Sequence, residues 1–232
     1  AVRQRSLRDP VMSFQLHQGF ECIGLLRDYL PSDAPSAGHA THMVWRNRGA
    51  EGHLVKTVSA PDRPAASVRV AVVQYLQRAI RDFEEFARIA RYFVDAVSDA
   101  KSDFVLFPEY FAFQLLSIED RELTPRESMR KLASYNDQIE ELFQKLAIRY
   151  NINIIAGSHP QFTSDGRLQN VAHVFLRDGS VHEQPKIHPT PAERHWWQIE
   201  GGDVLRAIET DCGTIGVLIC YDSEFPELGR HL

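Results

Sequence analysis

From position 68 onward, two kinds of segment with different hydrophobic patterns alternate along the chain. Continuous apolar runs at 68–75, 103–108 and 152–157 are rich in β-branched residues, which is typical of buried strands. Between successive runs, apolar residues recur every three or four positions, and this spacing predicts two amphipathic helices. The first apolar stripe consists of Phe83, Phe86, Ala87, Ala90, Phe93, Val94 and Val97. The second consists of Leu132, Tyr135, Ile139, Leu142, Phe143, Leu146 and Tyr150.

The segments that follow predict a hairpin and two further strands. Apolar runs at 170–176 and 181–184 flank Arg177-Asp-Gly-Ser180, whose Asp-Gly pair is favoured in tight hairpin turns. Runs at 204–209 and 214–220 predict the last two strands. Strands that alternate with helices, together with a hairpin, predict an α/β fold in which helices cover at least one face of a mixed sheet.

The sign of the charge changes along the chain and indicates two parts. Residues 1–66 hold 8 basic and 6 acidic residues, whereas the remainder holds 18 and 25. The segment 56–67 contains two prolines and several small residues without an apolar period, which predicts an exposed linker. We therefore expect an N-terminal segment at 1–55, a linker at 56–67 and a main domain at 68–232.

Composition and charge exclude several classes of protein. With 44% hydrophobic and 25% charged residues, the chain has an ordinary globular composition. A net charge of -5 gives no basic footprint for nucleic acid, and no apolar run approaches the roughly 20 residues needed to cross a bilayer. Three cysteines, and an N-terminus without the apolar core of a secretory signal, indicate a reducing cytoplasmic location. The chain begins without Met, and we interpret it as a fragment.

Cys220 is the first candidate for chemistry. It ends an apolar run and is followed by polar residues and Pro226, which predict the start of a helix. A thiol beneath a helix N-terminus meets the positive end of the backbone dipoles, which favours the thiolate of a nucleophile. The alternative is a small core residue. Cys212, in a turn without polar neighbours of this kind, fits that alternative better, and Cys22 lies outside the main domain.

Two more chemical groups follow predicted strands. Glu109 comes directly after the buried run 103–108, and Lys186 leaves the hairpin into a proline-rich loop. Either residue alone has a simpler interpretation as a solvated loop charge. Together with Cys220 they supply a base, a cation and a nucleophile at strand ends, which is the set that acyl transfer through a thioester requires.

The order of these motifs along the chain, and the residues within each motif, resemble those of the nitrilase superfamily of carbon-nitrogen hydrolases. The matching motifs are Phe-Pro-Glu109, Pro-Lys186-Ile-His with Glu193 after it, and Ile-Cys220-Tyr-Asp with Phe225-Pro-Glu. The resemblance covers residues 68–232. It implies an α-β-β-α sandwich, incomplete at its C-terminus in this chain, and assembly into a homodimer or a larger homo-oligomer.

The resemblance also implies a role for each matching residue. Cys220 attacks an amide or nitrile carbon, and Glu109 accepts the thiol proton and later activates water. Lys186 and the backbone N–H of Tyr221 stabilise the oxyanion, and Glu193 positions substrate or water. The family needs no metal and no organic cofactor. Ser223-Glu224 departs from the family pattern, in which an apolar residue and Arg precede Phe-Pro-Glu, so the substrate preference is left open.

Residues 8–22 and 43–47 resemble the last helix and strands of a GNAT-type N-acetyltransferase, a domain found fused ahead of nitrilase-like domains in some bacterial proteins. We therefore expect a small α+β remnant at 1–55. Because these residues contain no Gly-rich loop for acetyl-CoA, we assign no cofactor site there. An acetyltransferase function would require the missing half of that domain.

Histidines and tryptophans near Lys186 provide further candidates. His182, His188 and His195 lack the close spacing of zinc ligands, so we expect no metal. Trp197, beside Trp196, lines a substrate pocket or contributes to packing. Three functions remain open: hydrolysis of a small amide or nitrile, acyl transfer to an amine or alcohol, and a non-catalytic binding or assembly module. Amides are favoured over nitriles only by analogy with the family.

Overall fold

The computed structural model describes residues 20–26, 40–45 and 67–232. The chain divides into two compact units, Ala1–Val58 and Ser59–Leu232. In the first unit, β1 (Phe20–Leu26) pairs antiparallel with β2 (Ala40–Trp45). The remaining residues of the predicted acetyltransferase-like segment lie outside the described residues.

The second unit is built on a five-stranded mixed sheet in the order β3-β4-β5-β6-β7. The first three strands are parallel to one another, and the last three form two antiparallel pairs. The predicted hairpin is therefore present, with its turn at Arg177-Asp-Gly-Ser180. The strands are β3 (Val70–Val72), β4 (Phe104–Leu106), β5 (Asn153–Phe162), β6 (Leu168–Phe175) and β7 (Val181–Pro185).

The first predicted helix is confirmed as α1 (Phe83–Asp99). Asp82 caps its N-terminus, since its carboxylate accepts from the backbone N–H of Glu85 at 2.7 Å. The apolar stripe faces the sheet: Phe86 and Val94 are fully buried. The helix therefore covers one face of the sheet, as its spacing predicts.

The second predicted helix is divided, and its prediction as one element was wrong. The segment forms α2 (Pro125–Ala133) and α3 (Asn136–Tyr150), which are joined through Ser134 and Tyr135. In this link, the N–H groups of Ser134 and Tyr135 donate to carbonyls three residues earlier, which ends α2. The apolar spacing gives no sign of the break, because residues on both sides of it contribute to the same core.

The opposite face of the sheet contacts a small two-stranded sheet. Its strands are β8 (Ala207–Ile208) and β9 (Ile215–Gly216), and Ile208 and Cys212 pack with Phe104 and Val174. The layers are thus helix, sheet and sheet, and the predicted mixed α/β fold is confirmed.

The last two strands are shorter than predicted. The side chain of Gln184 accepts from the N–H of Arg206 at 3.0 Å and donates to the carbonyl of Val204 at 2.7 Å. These backbone groups are therefore satisfied by a side chain instead of a neighbouring strand, and β8 begins only at Ala207. A short helix, α4 (Pro226–His231), follows the second sheet. Across the described residues, no helix combines the length and the apolar character needed to span a membrane.

Candidate active site

Three charged residues predicted from the sequence meet in one ionic cluster. The ammonium of Lys186 donates to Oε1 of Glu109 at 2.8 Å, and to Oε1 and Oε2 of Glu193 at 3.0 and 2.8 Å. The side chains of Lys186 and Glu193 are 1% and 5% exposed, whereas that of Glu109 is 24% exposed. Glu109 is therefore the carboxylate of the cluster that is open to an entering molecule.

The sheet positions Glu109. It lies just beyond the C-terminal end of β4 and forms an isolated parallel bridge with Ser158 of β5. The next residue, Tyr110, has a φ of +56° and turns the chain into the 3₁₀-helix Phe111–Ile118. The carboxylate is thus held at the end of parallel strands, where sites of open α/β sheets assemble.

The loop after β7 carries the other two members of the cluster. Lys186 directly follows β7, and its N–H donates to the carbonyl of Asn170 at 2.8 Å. Glu193 begins a single π-helical turn, Glu193–Trp197. Thr190 fixes this turn, because its N–H donates to Oε2 of Glu193 at 2.7 Å and its hydroxyl accepts from the N–H of Glu193 at 3.2 Å.

The cluster stabilises its own charged forms. Burial opposes the charge on Lys186, but the hydrogen bonds from its ammonium to Glu109 and Glu193 outweigh burial and raise the pKa of Lys186. Burial likewise opposes the charge on Glu193, yet donation from Lys186, the Thr190 N–H and the Tyr110 hydroxyl lowers the pKa of Glu193. At neutral pH, Lys186 is a fixed cation that donates hydrogen bonds and does not act as a base.

Two neutral residues support the carboxylates and were not predicted from the sequence. The Tyr110 hydroxyl donates to Oε1 of Glu193 at 2.8 Å. Burial and the charge of Glu193 raise the pKa of Tyr110, so the phenol keeps its proton. The Asn170 amide donates to Oε1 of Glu109 at 2.9 Å and to Oε1 of Glu193 at 3.4 Å. The signal available in the sequence was an Asn at the start of the predicted strand 170–176, and the structure shows this Asn to be wholly buried.

Cys220 lies beside the cluster. Cys220 is exposed, and the negative charge of Glu109 acts on its thiol. Burial of the sulfur and the negative charge of Glu109 raise the pKa of Cys220, while Lys186 acts in the opposite direction. At neutral pH, Cys220 therefore carries its proton as a thiol, and the Glu109 carboxylate near it is a group that can accept a proton.

The prediction that a helix dipole holds Cys220 as a thiolate was wrong. Cys220 begins a short 3₁₀ turn, Cys220–Glu224, and the helix α4 begins only at Pro226. Six residues of helix, starting beyond that turn, supply little dipole at the sulfur, so burial and the carboxylate of Glu109 determine the direction of the pKa change.

The two aromatic candidates lie at different depths. The Tyr221 ring is 36% exposed and meets Phe225 edge-on at 5.3 Å between ring centroids. Trp197 packs edge-on against Tyr110 at 5.2 Å and against Phe113 at 5.5 Å. Trp197 therefore supports the tyrosine that donates to Glu193, and both aromatic residues remain candidates for contacting substrate.

The remaining cysteine and histidine candidates have other surroundings. Cys212 is buried and accepts from the guanidinium of Arg177 at 3.1 Å, which confirms its interpretation as a core residue. The His188 ring stacks on Phe225 at 3.8 Å, and that of His195 packs edge-on against a neighbouring tryptophan. Within the part of the chain that the structure describes, no three His, Cys, Asp or Glu residues are grouped so that they could hold a metal ion.

The chain is similar to known proteins in both sequence and structure. A family model described as carbon-nitrogen hydrolase matches residues 69–232. The probable hydrolase YhcX of Bacillus subtilis (strain 168) is 44% identical over 230 residues, which is 99% of this chain and 44% of that protein. The chain thus spans less than half the length of this curated relative.

Two solved structures share the fold. The carbon-nitrogen hydrolase from Helicobacter pylori G27 has a TM-score of 0.59 at 20% identity, covering 71% of this chain and 55% of that one. A mutant amidase from Nesterenkonia sp. AN1 carries the acetamide moiety of fluoroacetamide, added covalently at its active site cysteine. It has a TM-score of 0.56 at 20% identity, covering 70% and 59%.

Proposed function

Because this chain belongs to the carbon-nitrogen hydrolase family, we propose that it cleaves a non-peptide carbon-nitrogen bond through a thioester on Cys220. The observation that carries the proposal is the placement of one cation, Lys186, between Glu109 and Glu193, with the Cys220 thiol beside Glu109. A base, a fixed cation and a nucleophile grouped in one site are what acyl transfer through a thioester needs.

Acylation begins with proton transfer. Glu109 accepts the thiol proton of Cys220 as the sulfur attacks the carbon of the substrate. For an amide, the oxygen of the tetrahedral intermediate accepts from the Lys186 ammonium and from the backbone N–H of Tyr221. Glu109 then returns the proton to the leaving nitrogen, and the amine departs as the thioester forms.

Deacylation uses the same groups. Glu109 accepts a proton from water, whose oxygen attacks the thioester carbon, and the same donors again stabilise the oxyanion. The carbon-sulfur bond breaks, the acid leaves, and the sulfur regains its proton. Glu193 keeps Lys186 charged and holds its ammonium in place, since two of the hydrogen-bond contacts of the ammonium go to this carboxylate. No step requires a metal or an organic cofactor.

We propose a small amide as the substrate in preference to a nitrile. The structural relatives include an amidase whose active site cysteine carries the acetamide moiety of fluoroacetamide, and that likeness supports the amide. Acyl transfer, in which an amine or alcohol replaces water, uses the same triad and stays open as the alternative product-forming step.

For the N-terminal part, we propose a GNAT-like segment at 1–55 joined by a linker at 56–67 to the hydrolase domain at 68–232. The division of the chain is supported by two alignments: the Bacillus relative aligns with 99% of the chain, whereas the hydrolase family model begins at 69. The GNAT-like character of the first part rests on the sequence resemblance alone. We also propose that the protein is a cytoplasmic homodimer or larger homo-oligomer. We expect it to bind neither nucleic acid nor a membrane. Sedimentation analysis tests the assembly.

Trapping of the acyl-enzyme tests the main proposal. The protein is mixed with a panel of small aliphatic amides and nitriles, quenched in acid, and examined by intact mass and peptide mapping. We expect a mass increase on the peptide that carries Cys220, and release of acid and ammonia in steady state. Cys212→Ala, the matched control, should retain both signals. Undiminished turnover by Cys220→Ala would exclude the thioester mechanism.

A further inference from the structure

A buried carboxylate links the segment of the nucleophile to the segment of the cation. Asp222 is 1% exposed and lies two residues after Cys220. Its Oδ1 accepts from the N–H of His188 at 2.7 Å, and its Oδ2 accepts from the N–H groups of Ile187 and Ile219, both at 3.3 Å. Ile219 directly precedes Cys220, and Ile187 directly follows Lys186. One side chain thus connects the backbone on either side of the proposed active site.

The backbone of Cys220 needs such support. Its φ of +47° lies in the left-handed region, which is strained for a residue with a Cβ. A strained conformation persists only where surrounding contacts fix it. The N–H of Ile219, held by Asp222, and the hydroxyl of Ser223, which donates to the carbonyl of Cys220 at 2.7 Å, restrain the turn from both sides.

The second link between the two segments is a stack of rings. The His188 ring lies parallel to that of Phe225 at 3.8 Å between centroids, with an angle of 15° between the planes. Nδ1 of His188 is also 3.3 Å from Oδ1 of Asp222. The 3₁₀ turn of the nucleophile and the loop of the cation therefore meet along a junction in which Asp222 supplies the polar contacts.

We propose that Asp222 is a positioning residue, which fixes the distance between Cys220 and Lys186 by holding Ile219, Ile187 and His188 on one carboxylate. The inference rests on the proposed function, and it assigns Asp222 no contact with substrate. Hydrogen bonds from N–H groups to a charged acceptor are shorter and stronger than those between neutral groups. An amide in place of the carboxylate has only one oxygen to accept with, and it turns an NH₂ group toward N–H donors.

Asp222→Asn tests the inference by three readouts, each expressed per folded molecule. We expect kcat for amide hydrolysis to fall about 10- to 100-fold while KM changes less than about threefold, because the acceptor lost serves alignment and not substrate binding. The pH profile of Cys220 alkylation by iodoacetamide should shift to lower pH. Relaxation of the turn separates the thiol from Glu109, and loss of a nearby negative charge acts in the same direction. Thermal unfolding gives the folded fraction.

Asp103→Asn is the matched control, since Asp103 is also a buried carboxylate that accepts from a backbone N–H, that of Arg69 at 3.0 Å, but lies before β4. It should lower the melting temperature yet leave kcat and the alkylation profile within about twofold of the original protein. If Asp222→Asn does not fold, the same readouts are taken on Asp222→Glu, whose longer side chain cannot keep all three donor distances.

The outcomes separate this inference from the proposed function. A folded Asp222 variant with unchanged kcat and an unchanged alkylation profile overturns the positioning role, while the original protein still forms its acyl-enzyme. If the original protein forms no acyl-enzyme on Cys220, the proposed function fails. In that case the alkylation profiles, which need no substrate, still decide whether Asp222 positions Cys220.

Discussion

Gly157 lies directly against the carbonyl group of Pro108. A Cβ built on Gly157 would be 2.1 Å from that oxygen, and the backbone of Gly157 has a φ of +72°. Pro108 precedes Glu109, and Ser158, after Gly157, forms the bridge to Glu109. The close approach of two backbones therefore sets where the proposed base emerges from the sheet.

Substitution of Gly157 should lower kcat by more than the loss of stability alone would explain. In Gly157→Ala the methyl group must displace Pro108, and Glu109 moves with it. We expect a loss of about tenfold or more in kcat, measured by amide hydrolysis, together with a lower melting temperature. Gly166→Ala is the control, because Gly166 has a φ of +85° but no atom lies within 4 Å of the position that its Cβ would take. It should cost about 1 kcal/mol and leave kcat unchanged. Equal effects of the two substitutions would refute this account.

Removal of the buried cation should be costly in two ways. Lys186→Met leaves Glu109 and Glu193 facing each other without a counter-charge, so the free energy of unfolding should fall by about 3–5 kcal/mol. Loss of an oxyanion donor should lower kcat about 10²-fold or more. Urea unfolding and steady-state kinetics measure the two effects. Lys145→Met, in an exposed pair with Glu141, should change stability by less than about 0.5 kcal/mol.

A double substitution isolates the cause. If unpaired buried charge explains the instability, adding Glu193→Gln to Lys186→Met should restore part of the lost free energy of unfolding while activity stays low. Strictly additive losses would point to a change in packing instead.

Removal of the Glu109 carboxylate should make the Cys220 thiol more reactive toward an alkylating agent and should lower the turnover of an amide. Glu109 raises the pKa of Cys220, so Glu109→Gln removes a negative charge and should move the alkylation profile of Cys220 to lower pH. Turnover of an amide should nevertheless fall about 10²- to 10⁴-fold, because no group remains to accept the proton. Peptide mapping of iodoacetamide adducts gives the profile. A shift to higher pH would contradict the placement of Glu109 beside the thiol.

Stability should decline in acid in two stages. Burial and the adjacent His173 ring hold the pKa of His159 well below 6.5, so the folded state resists its protonation. The contribution of neutral His159 to the free energy of unfolding is complete above pH 6.5. It falls by about 1.4 kcal/mol per pH unit as the pH drops below that value. The contribution of Glu193, whose pKa is lowered, is complete above pH 4.5 and is lost as the pH falls through its folded-state pKa.

Urea unfolding of His159→Phe between about pH 4.5 and 8 measures the first stage. The ring is 2% exposed, and an apolar ring of similar size removes the buried titrating group. Below about pH 6.5, the slope of the free energy of unfolding against pH should therefore decrease by about 1.4 kcal/mol per pH unit, the value for one proton. His231→Gln, at an exposed position, should retain the original slope. Parallel slopes in all three proteins would exclude His159 as the source.

Much of the fold could be predicted from spacing alone. Local periodicity predicts the helix at Phe83–Asp99, and turn chemistry predicts the hairpin around Asp178 and Gly179. Both features depend only on residues that are close together in the sequence. The break at Ser134 could not be predicted, because the apolar stripe continues on both sides of it. The short extent of β8 follows from the side chain of Gln184, a contact across 20 residues that no local pattern reveals.

The sequence by itself determined which side chains could carry the chemistry. Glu109, Lys186 and Cys220 each lie at the end of a predicted strand, and their order along the chain identified the family. Only the tertiary structure decided how these side chains are arranged and charged. It placed Lys186 between two carboxylates, and it set the pKa of Cys220 above its ordinary value instead of below it. The physical reason is that strand periodicity is a local property, whereas a pKa depends on charges and burial contributed by segments distant in sequence.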